Sequence, residues 1–218
     1  MSEQRRARAP EAKEDRRRQL RDAARAAIDV GTPYADVTMA DVSRRAGLAK
    51  GTSYLYFSSK EALFLEVLTE DLAGWFDALA NRATTLPAGA AAPVAFAEAL
   101  ADTLLERPRM VRLLGLLHVV IEANIDLDTA RAFKRSLGEQ MLRADAAIGP
   151  WIPGFEAGDV ARLLLRTHAL VVGLGPMATP APAVAEALAE PALAWLRVDF
   201  RTELVAAVAG WLRGWRAG

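Results

Sequence analysis

Apolar residues recur three and four positions apart along nearly the whole chain, and no stretch keeps the alternation of a half-buried strand. The expected architecture is all-α. Leu20, Ala24, Ala27 and Ile28 form the inward face of a helix over 15–30, with Arg16, Arg17, Arg18, Arg21 and Arg25 mostly outward. Met39, Val42 and Ala46 do the same over 38–46, where Thr38 and Asp41 match a capping box. Gly47 offers the positive φ that ends a helix, and a second short helix is expected from about 49 or 50. The broadest stripe, from Leu63 and Phe64 through Val67, Leu68 and Leu72 to Trp75, Phe76 and Leu79, predicts a long helix over 59–82. Ser58 and Glu61 are expected to open it as a second capping box. Later helices are expected at 94–107, 109–123, 128–148, 157–174, 184–188 and 195–215, between clusters of Pro and Gly.

Two short helices joined by a tight Gly-containing turn describe a helix-turn-helix, a unit too small to bury a core alone. It normally places its second helix in a DNA major groove. The chain accordingly divides into a basic arm over 1–14, a helix-turn-helix head over 15–60 and a helical body over 61–218. Charge supports this division. Residues 1–60 hold 13 Lys and Arg against 8 Asp and Glu, whereas the remainder holds 14 against 19, so a formally neutral chain has a basic head and an acidic body. That asymmetry suits contact with nucleic acid at one end only. The arm, with Arg5, Arg6, Arg8 and Lys13, reads either as a solvated tail or as a strand tracking the DNA backbone or minor groove.

The run A-G-L-A-K-G-T-S-Y-L-Y-F-S-S-K-E-A-L from Ala46 to Leu63 resembles the signature of the TetR family of bacterial transcriptional regulators. The A-G dipeptide, the G-T-x-Y-x-Y-F core and the following K-E-x-L carry the resemblance, which covers roughly residues 15–65. It implies a role for individual residues. Thr38 would cap the first motif helix and touch a phosphate. Lys50 and Gly51 would open the recognition helix at the DNA, and Thr52 would face the groove. Tyr54 and Tyr56 would contact phosphates, and Lys60 would tie a phosphate to the connecting helix. Arg45 is a further backbone candidate. The resemblance also implies a homodimer formed through the last two long helices, on surfaces that include Leu163, Leu164, Leu170, Val171, Leu204, Val208, Trp211, Leu212 and Trp215.

An effector pocket in the body is expected among Trp75, Phe76, Phe96, Met110, Leu114, Leu117, Phe133, Leu137 and Met141. Arg112, His118, Glu122, Asn124 and His168 are its polar candidates. No motif encodes the effector's identity. The absence of cysteine excludes disulfides and thiolate metal sites, and no cofactor or metal is expected. The longest uncharged run, 167–185, contains Pro176, Pro180 and Pro182 together with Gly173 and Gly175. No membrane-spanning helix is expected from it.

The leading expectation is therefore a cytoplasmic bacterial regulator, found on the nucleoid when bound to DNA. As a dimer it would read a palindromic operator in double-stranded DNA, as a repressor released by a small apolar molecule. A DNA-binding protein without a small effector, acting through a protein partner, is the alternative. A helical enzyme using His118 with Glu122, or His168, has little behind it, since there is no Gly-rich phosphate loop and no H-E-x-x-H motif.

Overall fold

The computed structural model describes residues 2–87 and 89–215, with side chains from residue 11 onward. Among the described residues there is no strand. Nine α-helices follow one another among the described residues: α1 (Ser2–Asp29), α2 (Met39–Arg45), α3 (Lys60–Ala83), α4 (Ala92–Leu105), α5 (Pro108–Leu116), α6 (Leu127–Ile148), α7 (Asp159–Ala178), α8 (Pro182–Ala187) and α9 (Phe200–Gly214). The chain packs as two units, one of residues 1–70 with 116–134 and the other of 71–115 with 135–218. The boundary first falls inside α3, which runs through it unbroken.

In the first unit, Leu20, Ala24, Ile28, Val42, Phe57, Leu63, Phe64 and Val67 are buried, so α1, α2 and the start of α3 share one core. Helix α1 is longer than expected. It begins at Ser2 and absorbs the stretch read as a separate arm. Apart from Asp15, residues 11–19 are Glu, Ala, Lys, Arg and Gln, all good helix formers, and Arg18 donates to Asp15 at 2.6 Å and Arg16 to Gln19 at 2.7 Å across single turns. Arg5, Arg6 and Arg8 lie outside the described side chains.

In the second unit, α9 lies against α4 and α7. Its core includes Trp75, Leu79, Phe96, Leu100, Leu104, Met110, Ile148, Leu163, Leu204 and Val208. The Trp75 indole donates to Thr103 at 3.0 Å, which settles the one polar atom of a buried ring. Helix α7 has no capping side chain of its own, because Gly158 stands at its N-cap. Asp145 on α6 substitutes for it, accepting the amides of Gly158 at 2.7 Å and Val160 at 2.9 Å. Helix α9 starts at Phe200 instead of 195, since Asp199 is its cap and accepts the Thr202 amide at 2.7 Å.

Helix α7 also passes the expected stop at 174 and carries Pro176 inside its last turns. It is thereby long and apolar enough, by length and composition, to cross a membrane, which the sequence did not lead us to expect. Val160, Leu163, Leu164, Thr167 and Val171 are instead buried within this unit.

Candidate nucleic-acid interface

The helix-turn-helix is built from its caps. Thr38 ends α2 at its N-terminus by accepting the Asp41 amide at 3.1 Å, and its hydroxyl donates to the Asp41 carboxylate at 2.6 Å. The Thr38 hydroxyl, with the Arg44 guanidinium behind it, holds the Asp41 carboxyl below the usual carboxylate range. Gly47 takes φ +68° and turns the chain, as its type requires.

The segment that follows departs from expectation. There is no α-helix from 49 or 50. Gly51 sits in the left-handed region at φ +90°, and a single 3-10 turn, Thr52–Leu55, follows it. A residue at that φ cannot belong to a right-handed helix, and Ala49 has no side chain with which to cap one. The recognition element is therefore short. It is anchored by buried Ser53 and Phe57 and presents Tyr54, which is 61% exposed. Thr38, Arg45, Lys50 and Gly51 are exposed too, and Thr52 and Tyr56 are half-buried. All of the expected DNA contacts thus lie in one packing unit, in one continuous part of the chain. Leu55 was not among them. It is 78% exposed between the two tyrosines, and an apolar side chain that far out of a head suits a thymine methyl or a sugar.

Lys60 opens α3, but its ammonium is engaged within the protein. It donates to the Tyr34 carbonyl at 3.0 Å and sits 4.3 Å from the centre of the Tyr34 ring. The Tyr34 hydroxyl donates to Glu61 at 3.1 Å, and burial, with the neighbouring Glu61 charge, pushes that phenol well above its usual range. Glu61 is therefore spent on Tyr34. The cap of α3 is Ser59, which accepts the Ala62 amide at 3.0 Å, and not the expected pair of Ser58 and Glu61.

Two sequence profiles match the chain: "Bacterial regulatory proteins, tetR family" over residues 20–67, and "Tetracyclin repressor-like, C-terminal domain" over residues 69–218. The chain belongs to the TetR family. As a member it is a DNA-binding transcriptional regulator with a helix-turn-helix head, and regulators of this family are typically not enzymes. A crystal structure from Mesorhizobium loti, of a protein assigned to the same family of transcriptional regulators, is similar in fold. It is 19% identical, with a TM-score of 0.55 over 94% of this chain and 96% of that one. No curated protein matches the sequence.

The other expected sites are placed differently. Of the body's pocket candidates, Trp75, Phe76, Phe96, Met110 and Leu114 are buried in the second unit and Phe133 is buried in the first. Arg112 is exposed and His168 half-exposed. His118 and Glu122 do pair, at 2.9 Å, but on the surface: the imidazole is about half exposed and Lys134 donates to the other Glu122 oxygen at 2.5 Å. Burial works to raise the Glu122 carboxyl, and the Lys134 and His118 contacts outweigh it and hold it low. A carboxylate held low by an ion pair on each oxygen is a poor acid/base partner, and the half-exposed imidazole does not stand in the apolar cleft that the enzyme alternative needs.

Of the expected dimer residues, Leu163, Leu164, Val171, Leu204 and Val208 are buried in this chain's own core, because α9 packs on α4 and α7. They are corrected from interface to core. Leu170, Trp211, Leu212 and Trp215 keep partial exposure. Trp211 and Trp215 line an open groove of about 600 Å³ with Arg162 and Arg166, and the Arg166 guanidinium lies 4.6 Å from the Trp215 ring. No group of three or more metal-ligating side chains occurs among the described residues.

Proposed function

We propose that this regulator is a homodimeric repressor that reads a palindromic operator and leaves it when a small molecule binds the body. Tyr54, Leu55, Lys50, Gly51 and Thr52 form the base-facing surface of each head, and Thr38, Arg45, Tyr56 and Lys60 hold phosphates. The observation that carries the reading is the exposure of Tyr54 and Leu55 on a turn anchored in the core by Ser53 within it and Phe57 just beyond it. A soluble head gains nothing from showing two large apolar side chains to water unless a partner covers them.

The dimer forms on the exposed side of α7 and α9. Leu165, Ala169, Gly173 and Met177 fall along one exposed face of α7, and Ala206, Gly210 and Gly214 along one exposed face of α9. Small residues there let helices of two copies approach closely, as in a four-helix interface. Two heads about one DNA turn apart, roughly 34 Å, then fit two half-sites. Effector and operator would oppose each other by about 1–3 kcal/mol, roughly 5- to 150-fold in affinity.

The test is titration of a fluorescent operator duplex with the full chain, followed by a panel of apolar small molecules. Two chains per duplex, and release by at least one compound, are expected. One chain per duplex would remove the dimer. Binding of compounds without any change in operator affinity would remove the ligand response and favour control through a protein partner.

A further inference from the structure

We propose that Arg17, on α1 and outside the helix-turn-helix, is a positioning residue for the DNA contact of Tyr56. The inference deepens the regulator reading and rests on it for the role of Tyr56.

The recognition element is one 3-10 turn, closed by the Tyr54 amide on the Gly51 carbonyl at 3.1 Å and the Tyr56 and Phe57 amides on the Ser53 carbonyl at 3.0 Å. So short an element has little stiffness of its own. Beyond it, residues 56–59 have no regular structure to hold the Tyr56 carbonyl. Arg17 does so from outside. One terminal nitrogen of its guanidinium donates to the Tyr56 carbonyl at 2.7 Å, and the other donates to the Glu66 carboxylate on α3. The guanidinium carbon lies 4.5 Å from the centre of the Phe57 ring, the neighbouring anchor. The second oxygen of Glu66 takes Arg21 at 3.2 Å, so Glu66 is itself held in place.

Three elements therefore meet on one planar group: α1, the end of the recognition turn and α3. Only a fork with two directed donors serves both acceptors at once, and an ammonium on a flexible stem does not. Both terminal nitrogens are occupied and three-quarters of the side chain is shielded, with 24% exposed. Arg17 is thus built to hold Tyr56, not to reach a phosphate itself.

The experiment compares full-length wild type, Arg17→Met, Arg17→Lys, Tyr56→Phe and the Arg17/Tyr56 double variants. Affinity for the DNA site selected by wild type is measured over a range of salt, below each variant's melting temperature. Loss of a charge-assisted bond to a backbone carbonyl predicts at least about a tenfold loss of affinity for Arg17→Met. Its salt slope should stay that of wild type, since no phosphate contact of its own is removed. Arg17→Lys, which keeps the charge, should lose affinity in the same direction. In the Tyr56→Phe background either Arg17 change should cost much less, because the residues act as one unit.

Full additivity with Tyr56→Phe, or unchanged affinity in Arg17→Lys, would overturn the proposal. So would a salt slope lowered by about one, the mark of a direct phosphate contact. If Arg17→Met does not fold, the two Arg17→Lys variants decide alone. A wild type that selects no DNA site would defeat the operator reading instead, a result distinct from all of these.

Discussion

Glu70 and Asp71 are neighbours on α3, yet their carboxylates are held by arginines of different packing units. Glu70 takes Arg21 at 2.8 Å and also Arg25, both on α1. Asp71 takes Arg109 of α5 through two bonds, at 2.9 and 3.1 Å, with only 11% of its side chain exposed. One peptide bond separates a side chain committed to the head from one committed to the body.

Removing each charge should then loosen a different region. Glu70→Gln is expected to speed amide hydrogen exchange in α1, and Asp71→Asn to speed it in α5, each with little effect on the other. The bidentate, shielded pair of Asp71 should matter more, by about 1.5–3 kcal/mol for hydrogen bonds to charged groups. Exchange that rises equally in α1 and α5 for both variants would contradict the division.

Lys60 must exchange partners if it is to hold DNA. Its ammonium rests on the Tyr34 carbonyl and ring in the free protein, while its place at the start of α3 suits a phosphate. Lys60→Ala should weaken operator binding and lower the slope of log affinity against log salt by about one. A slope equal to wild type would mean that Lys60 stays on Tyr34 and serves only the fold.

Asp145 should stabilise α7 as an ordinary N-cap would, although it comes from another helix. Asp145→Ala is expected to cost about 0.5–2 kcal/mol in urea unfolding, since the amides of Gly158, Val160 and Ala161 lose their acceptor. Asp145→Asn keeps an acceptor and should recover part of that loss. An unchanged midpoint in the alanine variant would show that water replaces the carboxylate at no cost.

A pH dependence follows from Asp102 and Arg201, which tie α4 to α9 at 2.7 Å. The Arg201 hydrogen bond holds the Asp102 carboxyl below its ordinary value of 3.8. A depressed folded pKa contributes stability above the unfolded pKa and loses it as pH falls through the folded one. Asp102→Asn should therefore be less stable than wild type near neutrality, by the small margin of a solvent-screened pair. The difference should close in acid below the ordinary carboxylate value. Urea melts at neutral and acidic pH check both halves.

Much of this architecture was legible in the order of residue types. The stripe from Leu63 to Leu79 marked α3 to within a residue at each end, and Thr38, Asp41 and Gly47 marked α2 and its turn, because caps and positive φ are local requirements. The recognition element was misjudged for a related reason. Gly51 reads equally well as a residue allowing close approach to DNA within a helix and as a left-handed residue preceding one, and only the backbone distinguishes them. Long-range partners were not legible at all. Arg17 looked like one more outward arginine of α1, since nothing in sequence places it beside Tyr56, 39 positions away. Burial within α7 and α9 failed similarly: an apolar face does not say whether the same chain or a second copy covers it, and Leu204 and Val208 are covered by the same chain.

Sequence reading by the head is proposed to run through the turn from Gly51 to Tyr56. It is tested most directly by selecting from a library of genomic fragments with wild type and with Tyr54→Ala, side by side, at two salt concentrations. Wild type is expected to enrich a palindromic site, and Tyr54→Ala to lose that enrichment while retaining weak, salt-sensitive binding to any duplex. Equal enrichment by both proteins, or none by either, would contradict it.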